Sequence, residues 1–461
     1  MQLPEQFLNS IEGVKGFDKE SFIKVHESGE QITSIRINPA KFAGNALLFE
    51  GTQKIPWTKF GYYLSKRPSF TFDPLFHAGC YYVQEASSMF IEEALRQTVD
   101  LSQPIKVLDT CASPGGKSTH IQSLISAESL LISNEVIKPR AAVLKQNIIK
   151  WGCNNVIVTN NDPKHFQKLE GFFDVIVVDA PCSGSGLFRK DEEAINEWSL
   201  DNVQLCCGRQ QRILADIIPA LKENGILIYS TCSYSKEEDE DIMDWLAGEM
   251  HMTNVPLQID QNLNIVETHS KKNSATGYRF FPDKIKGEGF FIGCFKKNQT
   301  ANAKRYKPGK PNLISTKEKD VVNAWVEKTD HLAFLRHENF VFAWPHILLE
   351  DFILIQVLLY IQYAGTNLGE LIRDKLVPDH ALAMSPLVSK KIARTELDYD
   401  TAIKYLQRGD LSVNTEEKGW GLVTFKNHPL GWINALPNRI NNYYPKEFRI
   451  LKQYNSSPFE K

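Results

Sequence analysis

The stretch Ile105-Lys-Val-Leu-Asp-Thr-Cys-Ala-Ser-Pro-Gly-Gly-Lys117 decides the fold. Its apolar start predicts a short strand that ends on Asp109, and apolar residues recur at helical spacing between positions 121 and 125. The strand and the helix are joined by a glycine-rich turn, in which Gly115 and Gly116 let the backbone approach a ligand because neither carries a Cβ. A strand, a tight turn and a helix form the unit with which an α/β domain holds a small ligand.

A phosphate-binding P-loop is the first alternative for this turn. That motif requires Gly, four residues, Gly-Lys and then Ser or Thr. Residues 116–118 match its end, but Cys111 stands where the first glycine is needed. The mismatch disfavours nucleotide hydrolysis, which ATP binding would test, and favours a ligand other than a triphosphate. An ordinary strand-to-helix turn is the alternative without a ligand.

Apolar strands alternate with helices from residue 105 to residue 297, which is typical of a parallel sheet covered on both faces. The predicted strands are 105–110, 129–134, 155–159, 174–179, 225–230 and 289–295. Open α/β sheets bind ligands at the carboxyl ends of their strands. Polar or reactive residues occur at or just past five such ends, namely Asp109, Glu135, Asp162, Asp179 and Ser230-Thr-Cys232.

Composition sets outer limits on the kind of protein. A chain of 461 residues is long enough for about three domains. The net charge of -2 gives no global basic field, so an RNA partner would have to be held by local patches. The N-terminus does not resemble a secretory signal, and the apolar run 352–364 is too short to span a bilayer. We therefore expect a cytoplasmic protein without a membrane partner.

The cysteines suggest covalent chemistry rather than metal binding. The chain has eight cysteines but no Cys-x-x-Cys pair, so we expect free thiols and no metal. Cys182 lies in Asp179-Ala-Pro-Cys182 and Cys232 in Ser230-Thr-Cys232, each just after a predicted strand. One such cysteine alone is more typical of a buried thiol. Two of them beside a ligand loop favour nucleophilic catalysis.

The motifs at 111–117, 179–182 and 231–233, in this order and spacing, resemble the RNA cytosine-5 methyltransferases of the Nol1/Nop2/Sun family, which use S-adenosylmethionine. The segment Phe76-His-Ala-Gly-Cys-Tyr-Tyr-Val-Gln-Glu-Ala-Ser87 also resembles the family's entry segment. Three C-terminal stretches are similar to the PUA-like module of the family members that act on bacterial small-subunit (16S) rRNA. They are Trp420-Gly-Leu-Val, Asn427-His-Pro-Leu-Gly-Trp432 and Asn441-Asn-Tyr-Tyr-Pro-Lys446.

The resemblance implies a Rossmann-like class I methyltransferase domain, a small N-terminal α+β lead-in and a C-terminal β-rich PUA-like module. We expect an RNA-binding lead-in over 1–70 and the methyltransferase domain over 71–297. A basic linker and a mixed helical segment follow over 298–380, and the RNA-binding PUA-like module occupies 381–461. The linker is Asn302-Ala-Lys-Arg-Tyr-Lys-Pro-Gly-Lys310, a candidate phosphate contact.

By resemblance, Glu135 would accept hydrogen bonds from the ribose hydroxyls of the cofactor, Asp162 would face the adenine amino group, and Asp179 would lie where cofactor and target base meet. A carboxylate suits the ribose role because it is an acceptor with several lone pairs. Arg140 is a further candidate. The methionine and ribose end would be surrounded by Cys111, Ala112, Ser113, Pro114, Gly115, Gly116 and Lys117.

The resemblance also assigns the chemistry. Cys232 would add to C6 of cytosine, which makes C5 nucleophilic, and Asp179 would hydrogen-bond the N3 side. Cys182 would help to release Cys232 after methyl transfer. The target base must be unpaired or flipped out, since C6 cannot be reached within a stack.

The function expected from the sequence is S-adenosylmethionine-dependent methylation of cytosine C5 in rRNA by a monomer. The partner is RNA, either free small-subunit rRNA or the assembled subunit. A tRNA-modifying member of the family is one alternative. A ribosome-assembly factor that binds RNA without catalysis is another, and intact Cys182, Cys232 and Asp179 argue against it.

Overall fold

The structure is a computed structural model that describes residues 3–42, 49–300, 309–327, 329–413 and 417–454. The basic linker expected at 302–310 lies outside these residues except for its last two positions. Within the described residues, no helix has the length and apolar character that a membrane crossing requires.

The N-terminal part is a small α+β unit, as the sequence predicts. Its four strands form an antiparallel sheet in the order β2-β3-β1-β4, and β1 ends two residues before Pro39. Asp18 caps α2, and Asp73 caps α3, which begins with Pro74. The elements are α1 (Glu5–Ser10), α2 (Lys19–Glu27), β1 (Ser34–Ile37), β2 (Gln53–Lys54), β3 (Gly61–Tyr63), α3 (Pro74–His77) and β4 (Tyr81–Val83).

An α/β unit follows the N-terminal unit directly and contains all six strands predicted between residues 105 and 297. Its helices are α4 (Ile91–Thr98), α5 (Gly116–Leu124), α6 (Lys138–Trp151), α7 (Glu193–Glu197), α8 (Leu200–Ile217) and α9 (Glu240–Gly248). Its strands are β5 (Lys106–Asp109), β6 (Leu130–Asn134), β7 (Val156–Thr159), β8 (Phe173–Asp179), β9 (Leu221–Thr231), β10 (Thr253–Asn254), β11 (Val266–His269), β12 (Thr276–Phe280) and β13 (Phe290–Lys296).

Five of these strands run parallel in the order β7-β6-β5-β8-β9. Both faces of this sheet are buried, because successive side chains point to opposite sides of a strand. On β5, Leu108 packs in one apolar cluster and Val107 in the other, and on β8 the residues Ile176 and Val177 divide in the same way. The alternating layers fix the register of the strands and therefore the edge at which their ends meet.

The predicted strand at 289–295 differs from the parallel pattern. It is β13, which pairs antiparallel with β9 and carries β12 and then β11 beyond it. Strands of only four or five residues, such as β11 and β12, are too short to show a clear period of two, so the sequence did not reveal them.

Residues 309–384 correct the expectation of a mixed helical segment. They contain a four-stranded antiparallel sheet, β14-β15-β17-β18, and a further strand, β16. The hairpin between β14 and β15 turns at Glu338-Asn339, which lacks the Asn-Gly or Asp-Gly signature of such turns. The elements are α10 (Thr316–Asn323), β14 (Leu332–His337), β15 (Phe340–Pro345), α11 (Leu349–Leu358), β16 (Ile361–Ala364), β17 (Thr366–Ile372), β18 (Lys375–Pro378) and α12 (His380–Met384).

This middle segment joins the central sheet. Strand β16 pairs antiparallel with β7 and so covers the edge of the parallel strands. Trp344 and Phe352 pack in the same apolar cluster as Leu108 and Ile176 of the central strands. The methyltransferase-like sheet and the segment after it therefore share one core.

The C-terminal module is β-rich, as expected. It consists of β19 (Arg394–Glu396), α13 (Tyr399–Leu406), β20 (Gly419–Phe425), β21 (His428–Leu436) and β22 (Arg439–Asn442), with the strands in that order in one sheet. It contacts the N-terminal unit, since Val423 and Tyr405 share an apolar cluster with Ile35 and Tyr81.

Candidate active site

The glycine-rich turn lies at the carboxyl end of β5, the central strand of the parallel set. The chain order reverses there, since β6 follows β5 on one side and β8 lies on the other, and such switch points are where open α/β sheets bind ligands. Gly115 has φ +115°, and a Cβ on it would lie 3.3 Å from Leu144 Cδ1. A larger residue would therefore be both strained and crowded at this position.

The acid that ends β5 is held behind the turn. Asp109 is buried, and its Oδ2 accepts a hydrogen bond from Ser118 Oγ at 2.7 Å. Burial raises the pKa of Asp109 to about 7. Its Oδ1 is buried and has no hydrogen-bond partner among the described residues.

The loop is tied to the next helix by a reciprocal pair of hydrogen bonds. Ser113 Oγ donates to the carbonyl oxygen of Arg140 at 2.9 Å, and Arg140 Nη2 donates to the carbonyl oxygen of Ser113 at 3.1 Å. Asn147 Nδ2 donates to the Pro114 carbonyl oxygen at 2.7 Å. Arg140 in the first turn of α6 and Asn147 farther along the same helix thus fix residues 113–114.

Two further predicted acids lie at neighbouring strand ends. Glu135 follows β6 and is buried, and its Oε1 accepts the backbone N–H of Ile137 at 2.9 Å. Its Oε2 lies 3.6 Å from Arg140 Nη2. Asp162 follows β7, accepts the backbone N–H of Lys164 at 3.1 Å and lies 3.8 Å from Arg212 Nη1. Carboxylate oxygens are thus placed beyond the ends of two adjacent strands, and each acid has its own partners.

Lys117 and Asp179 form an ion pair across the switch point. Lys117 Nζ lies 2.7 Å from Asp179 Oδ2, and Ser230 Oγ donates to Asp179 Oδ1 at 2.8 Å. Burial lowers the pKa of Lys117, but the Asp179 carboxylate outweighs it, so the pKa is raised and the ammonium stays charged. The pair connects the start of α5 with the end of β8.

The two predicted cysteines meet. Cys182 Sγ and Cys232 Sγ are 3.0 Å apart, each just beyond the end of its strand. The hydrogen bond with Cys232 is the largest of the effects, together with burial, that raise the pKa of Cys182 well above its usual value. Cys182 is therefore a protonated thiol at neutral pH. Cys111 is not part of this pair, and burial also raises its pKa.

Two residues that hold the site were missed from the sequence. Buried Glu238 accepts hydrogen bonds from Ser183 and Ser233, the residues that follow the two cysteines. Buried Arg36 of β1 donates to the carbonyl oxygen of Gly116 in the first turn of α5. The acidic run Glu237-Glu238-Asp239-Glu240 close behind Cys232 was a visible signal for the first. Nothing local marked Arg36, since its partners are some 80 residues away.

The described residues contain no group of three or more His, Cys, Asp or Glu side chains that could hold a metal ion.

Comparison with known proteins gives three family matches in chain order. Residues 3–86 match the N-terminal domain of 16S rRNA methyltransferase RsmF, residues 96–296 match 16S rRNA methyltransferase RsmB/F, and residues 393–450 match the methyltransferase RsmF PUA domain. The three matches lie on the N-terminal unit, the central sheet and the C-terminal module.

Curated relatives extend over almost the whole chain. The ribosomal RNA small subunit methyltransferase F of Shewanella woodyi (strain ATCC 51908 / MS32) is 29% identical over 475 residues, which covers 97% of each chain. The protein of the same name from Aeromonas salmonicida (strain A449) is 29% identical over 90% of each chain. That of Psychromonas ingrahamii is 34% identical over 65% of this chain and 64% of its own.

Solved structures agree on the fold. A methyltransferase homolog protein from Pyrococcus horikoshii is 26% identical with a TM-score of 0.51, covering 64% of this chain and 100% of its own. NSun6 from Pyrococcus horikoshii, at 19% identity, has a TM-score of 0.53 and covers 64% of this chain and 98% of its own. With three family matches in order over most of its length and full-length relatives of one name, the chain belongs to the RsmB/F family of 16S rRNA methyltransferases.

Proposed function

We propose that this protein methylates C5 of a cytosine in small-subunit rRNA, with S-adenosylmethionine as methyl donor and a transient covalent bond between Cys232 and C6 of the base. The observation that carries the proposal is the contact of the two thiols, 3.0 Å apart, at the sheet edge that also holds the Lys117–Asp179 pair. The names of the relatives support rRNA as the substrate class.

The strand ends suit the proposed cofactor. Glu135 and Asp162 offer carboxylate acceptors on adjacent strands, as ribose hydroxyls and an adenine amino group require. At the central strand, the buried Asp109 Oδ1 has no partner among the described residues and so remains free to accept a hydrogen bond. When bound, S-adenosylmethionine supplies an electrophilic methyl group on a sulfonium.

The two thiols have different roles in the reaction of the base. The thiolate of Cys232 adds to C6, and the displaced electron pair makes C5 nucleophilic. Asp179, which is oriented by Lys117 and Ser230, would hydrogen-bond the N3 side of the base. Once C5 carries the methyl group, a base removes the C5 proton, the C5–C6 double bond re-forms and Cys232 leaves. Cys182, a protonated thiol in contact with Cys232, assists this release.

The flanking units serve RNA binding in this proposal. The N-terminal unit and the PUA-like module contact each other beside the central sheet, so one RNA segment can touch both while a flipped base enters the site. We propose that boundaries near residues 70, 297 and 380 separate the RNA-binding units from the catalytic unit. The segment 309–384 packs on the central sheet of the catalytic unit.

Bisulfite sequencing of total RNA from cells with and without the gene tests the proposal. We expect one 16S rRNA cytosine to lose its 5-methyl mark, and re-expression of the parent protein to restore it. Loss of a tRNA mark instead would make the protein a tRNA methyltransferase. Loss of no mark would favour the assembly factor that binds RNA without catalysis.

A further inference from the structure

Glu238 is a buried carboxylate behind the two thiols that the proposed reaction does not use. It lies in the turn 236–238 that follows Cys232, and its side chain has no exposed surface. Among the described residues, no lysine, arginine or histidine forms an ion pair with it. A buried charge of this kind is costly unless hydrogen bonds satisfy it, so its partners indicate what it is for.

The partners are the residues next to the cysteines. Glu238 Oε1 accepts the backbone N–H of Ser183 at 2.9 Å, and Oε2 accepts Ser183 Oγ at 2.5 Å and Ser233 Oγ at 2.6 Å. Ser183 follows Cys182, and Ser233 follows Cys232. One carboxylate therefore holds the residues that immediately follow both thiols.

A second layer fixes the other side of Cys182. Gln210 Nε2 donates both to Glu238 Oε1, at 3.1 Å, and to the carbonyl oxygen of Pro181, at 3.0 Å. Pro181 precedes Cys182, so the backbone is held on both sides of this thiol. The turn that carries Glu238 is itself anchored by Tyr229, whose hydroxyl donates to the Glu238 carbonyl oxygen at 2.6 Å.

We infer that Glu238 is a positioning residue that sets the separation of Cys182 and Cys232. All four groups that reach its carboxylate can donate a hydrogen bond, so an acceptor-only side chain is the one that satisfies them together. The effect of Glu238 on catalysis rests on the proposed function. Its effect on the distance between the two thiols does not, because that distance is a property of the free protein.

Glu238→Gln is the informative variant because it keeps the shape of the side chain. The amide oxygen can still accept from Ser183 N–H and Gln210, but the NH2 group then faces two serine hydroxyls that must turn to accept. The matched control is Glu237→Gln, which removes the same charge one residue earlier. Among the described residues, it is Glu238 and not Glu237 that hydrogen-bonds Ser183, Ser233 and Gln210.

The first test measures the distance between the thiols chemically, without RNA or cofactor. The full-length protein is treated with diamide, which takes up the two hydrogens as a disulfide forms between two thiols. The Cys182–Cys232 product is then quantified by mass spectrometry of alkylated peptides. We expect Glu238→Gln to form it about tenfold more slowly than the parent, since small displacements of reacting groups have effects of this size or larger. Glu237→Gln should match the parent.

The second test measures catalysis with rRNA and S-adenosylmethionine. Glu238→Gln should lower kcat about tenfold while KM for both substrates changes less than about twofold. The fraction of protein trapped as a covalent RNA adduct should rise, because release by Cys182 is impaired. Ser183→Ala and Ser233→Ala each remove one donor and should shift both readouts in the same direction by less.

Disulfide formation in Glu238→Gln at the rate of Glu237→Gln would overturn the inference, and so would a loss of activity confined to KM. If circular dichroism shows that Glu238→Gln does not fold, Ser183→Ala and Ser233→Ala replace it, and their disulfide-formation rates and kinetic constants are compared with those of the parent in the same way. If the parent protein neither methylates RNA nor forms an adduct, the proposed function fails. In that case, the rates of disulfide formation with diamide still show whether Glu238 sets the separation of the two thiols.

Discussion

The site depends on pairs of side chains whose members come from different helices and strands. Lys117 at the start of α5 and Asp179 at the end of β8 form an ion pair with 2.7 Å between Nζ and Oδ2. The Lys117 side chain is 13% exposed and that of Asp179 is 33% exposed, so the pair is partly shielded from water. Among the described residues, the other side chain that hydrogen-bonds the Asp179 carboxylate is Ser230.

Lys117→Met should therefore lower the rate of methyl transfer by about a hundredfold, because Asp179 loses the group that orients it. Single-turnover methylation of 16S rRNA measures this rate. Lys168→Met, at an exposed lysine between β7 and β8, serves as the control and should match the parent. Equal rates for the two variants would remove the ion pair from the mechanism.

At the scale of elements, the glycine-rich turn is held from outside its own domain. Arg36 of β1 donates to the Gly116 carbonyl oxygen at 3.2 Å and to Thr119 Oγ1 at 2.6 Å, both in α5. Its Nε donates to Gln84 Oε1 at 2.9 Å, and its guanidinium lies 4.5 Å from the ring centroid of Trp151. Burial lowers the pKa of Arg36 to about 9, which leaves it charged at neutral pH.

Replacement of this arginine should loosen the start of α5. We expect Arg36→Lys to lower the free energy of unfolding by about 2–4 kcal/mol, because a lysine cannot supply the planar fork of donors. Affinity for S-adenosylhomocysteine, measured by isothermal titration calorimetry, should fall at the same time. Arg67→Lys, at an exposed position of the same unit, should change neither quantity. A stable variant with normal affinity would show that α5 holds its position without Arg36.

Some of these elements could be predicted from the sequence and others could not. The six strands between 105 and 297 were predictable because their continuous apolar runs are typical of strands buried on both faces. The antiparallel direction of the last of them, β13, was not predictable in this way. Strand β16 was not, because Ile361–Ala364 continues the apolar run of α11 and only its pairing with β7 makes it a strand. The position of Asp179, Cys182 and Cys232 at the ends of strands was predictable from the motifs that contain them. Glu238 was not, because its role depends on the meeting of two loops.

At the scale of the whole molecule, the first and last units meet around buried histidines. His380 of α12 is packed between the rings of Tyr444 and Phe448, and neither of its ring nitrogens has a hydrogen-bond partner among the described residues. His77 of the N-terminal unit lies 3.4 Å from the Tyr444 hydroxyl. Burial, together with the charges of Lys41 and Lys150, lowers the pKa of His380 to about 3.

This histidine should make the protein sensitive to acid. The pKa of His380 is lower in the folded chain than the usual value of about 6.5, so its contribution to stability is complete above pH 6.5 and is lost as pH falls towards 3. The loss at pH 5 is about 2 kcal/mol. We expect His380→Phe to change the free energy of unfolding little at pH 7.5 and to raise it relative to the parent at pH 5. Urea titrations at both pH values measure this difference, and an equal difference at the two values would contradict the assignment.

In the proposed reaction, Cys232 attacks the base and Cys182 helps to release it. The most direct measurement is denaturing gel electrophoresis of Cys182→Ala and Cys232→Ala after incubation with 16S rRNA and S-adenosylmethionine, with peptide mapping of any protein that stays attached to RNA. We expect Cys182→Ala to accumulate an adduct at Cys232, and Cys232→Ala to form no adduct and no methylated RNA. An adduct that accumulates in Cys232→Ala through Cys182, with none in Cys182→Ala, would reverse the roles and contradict the account.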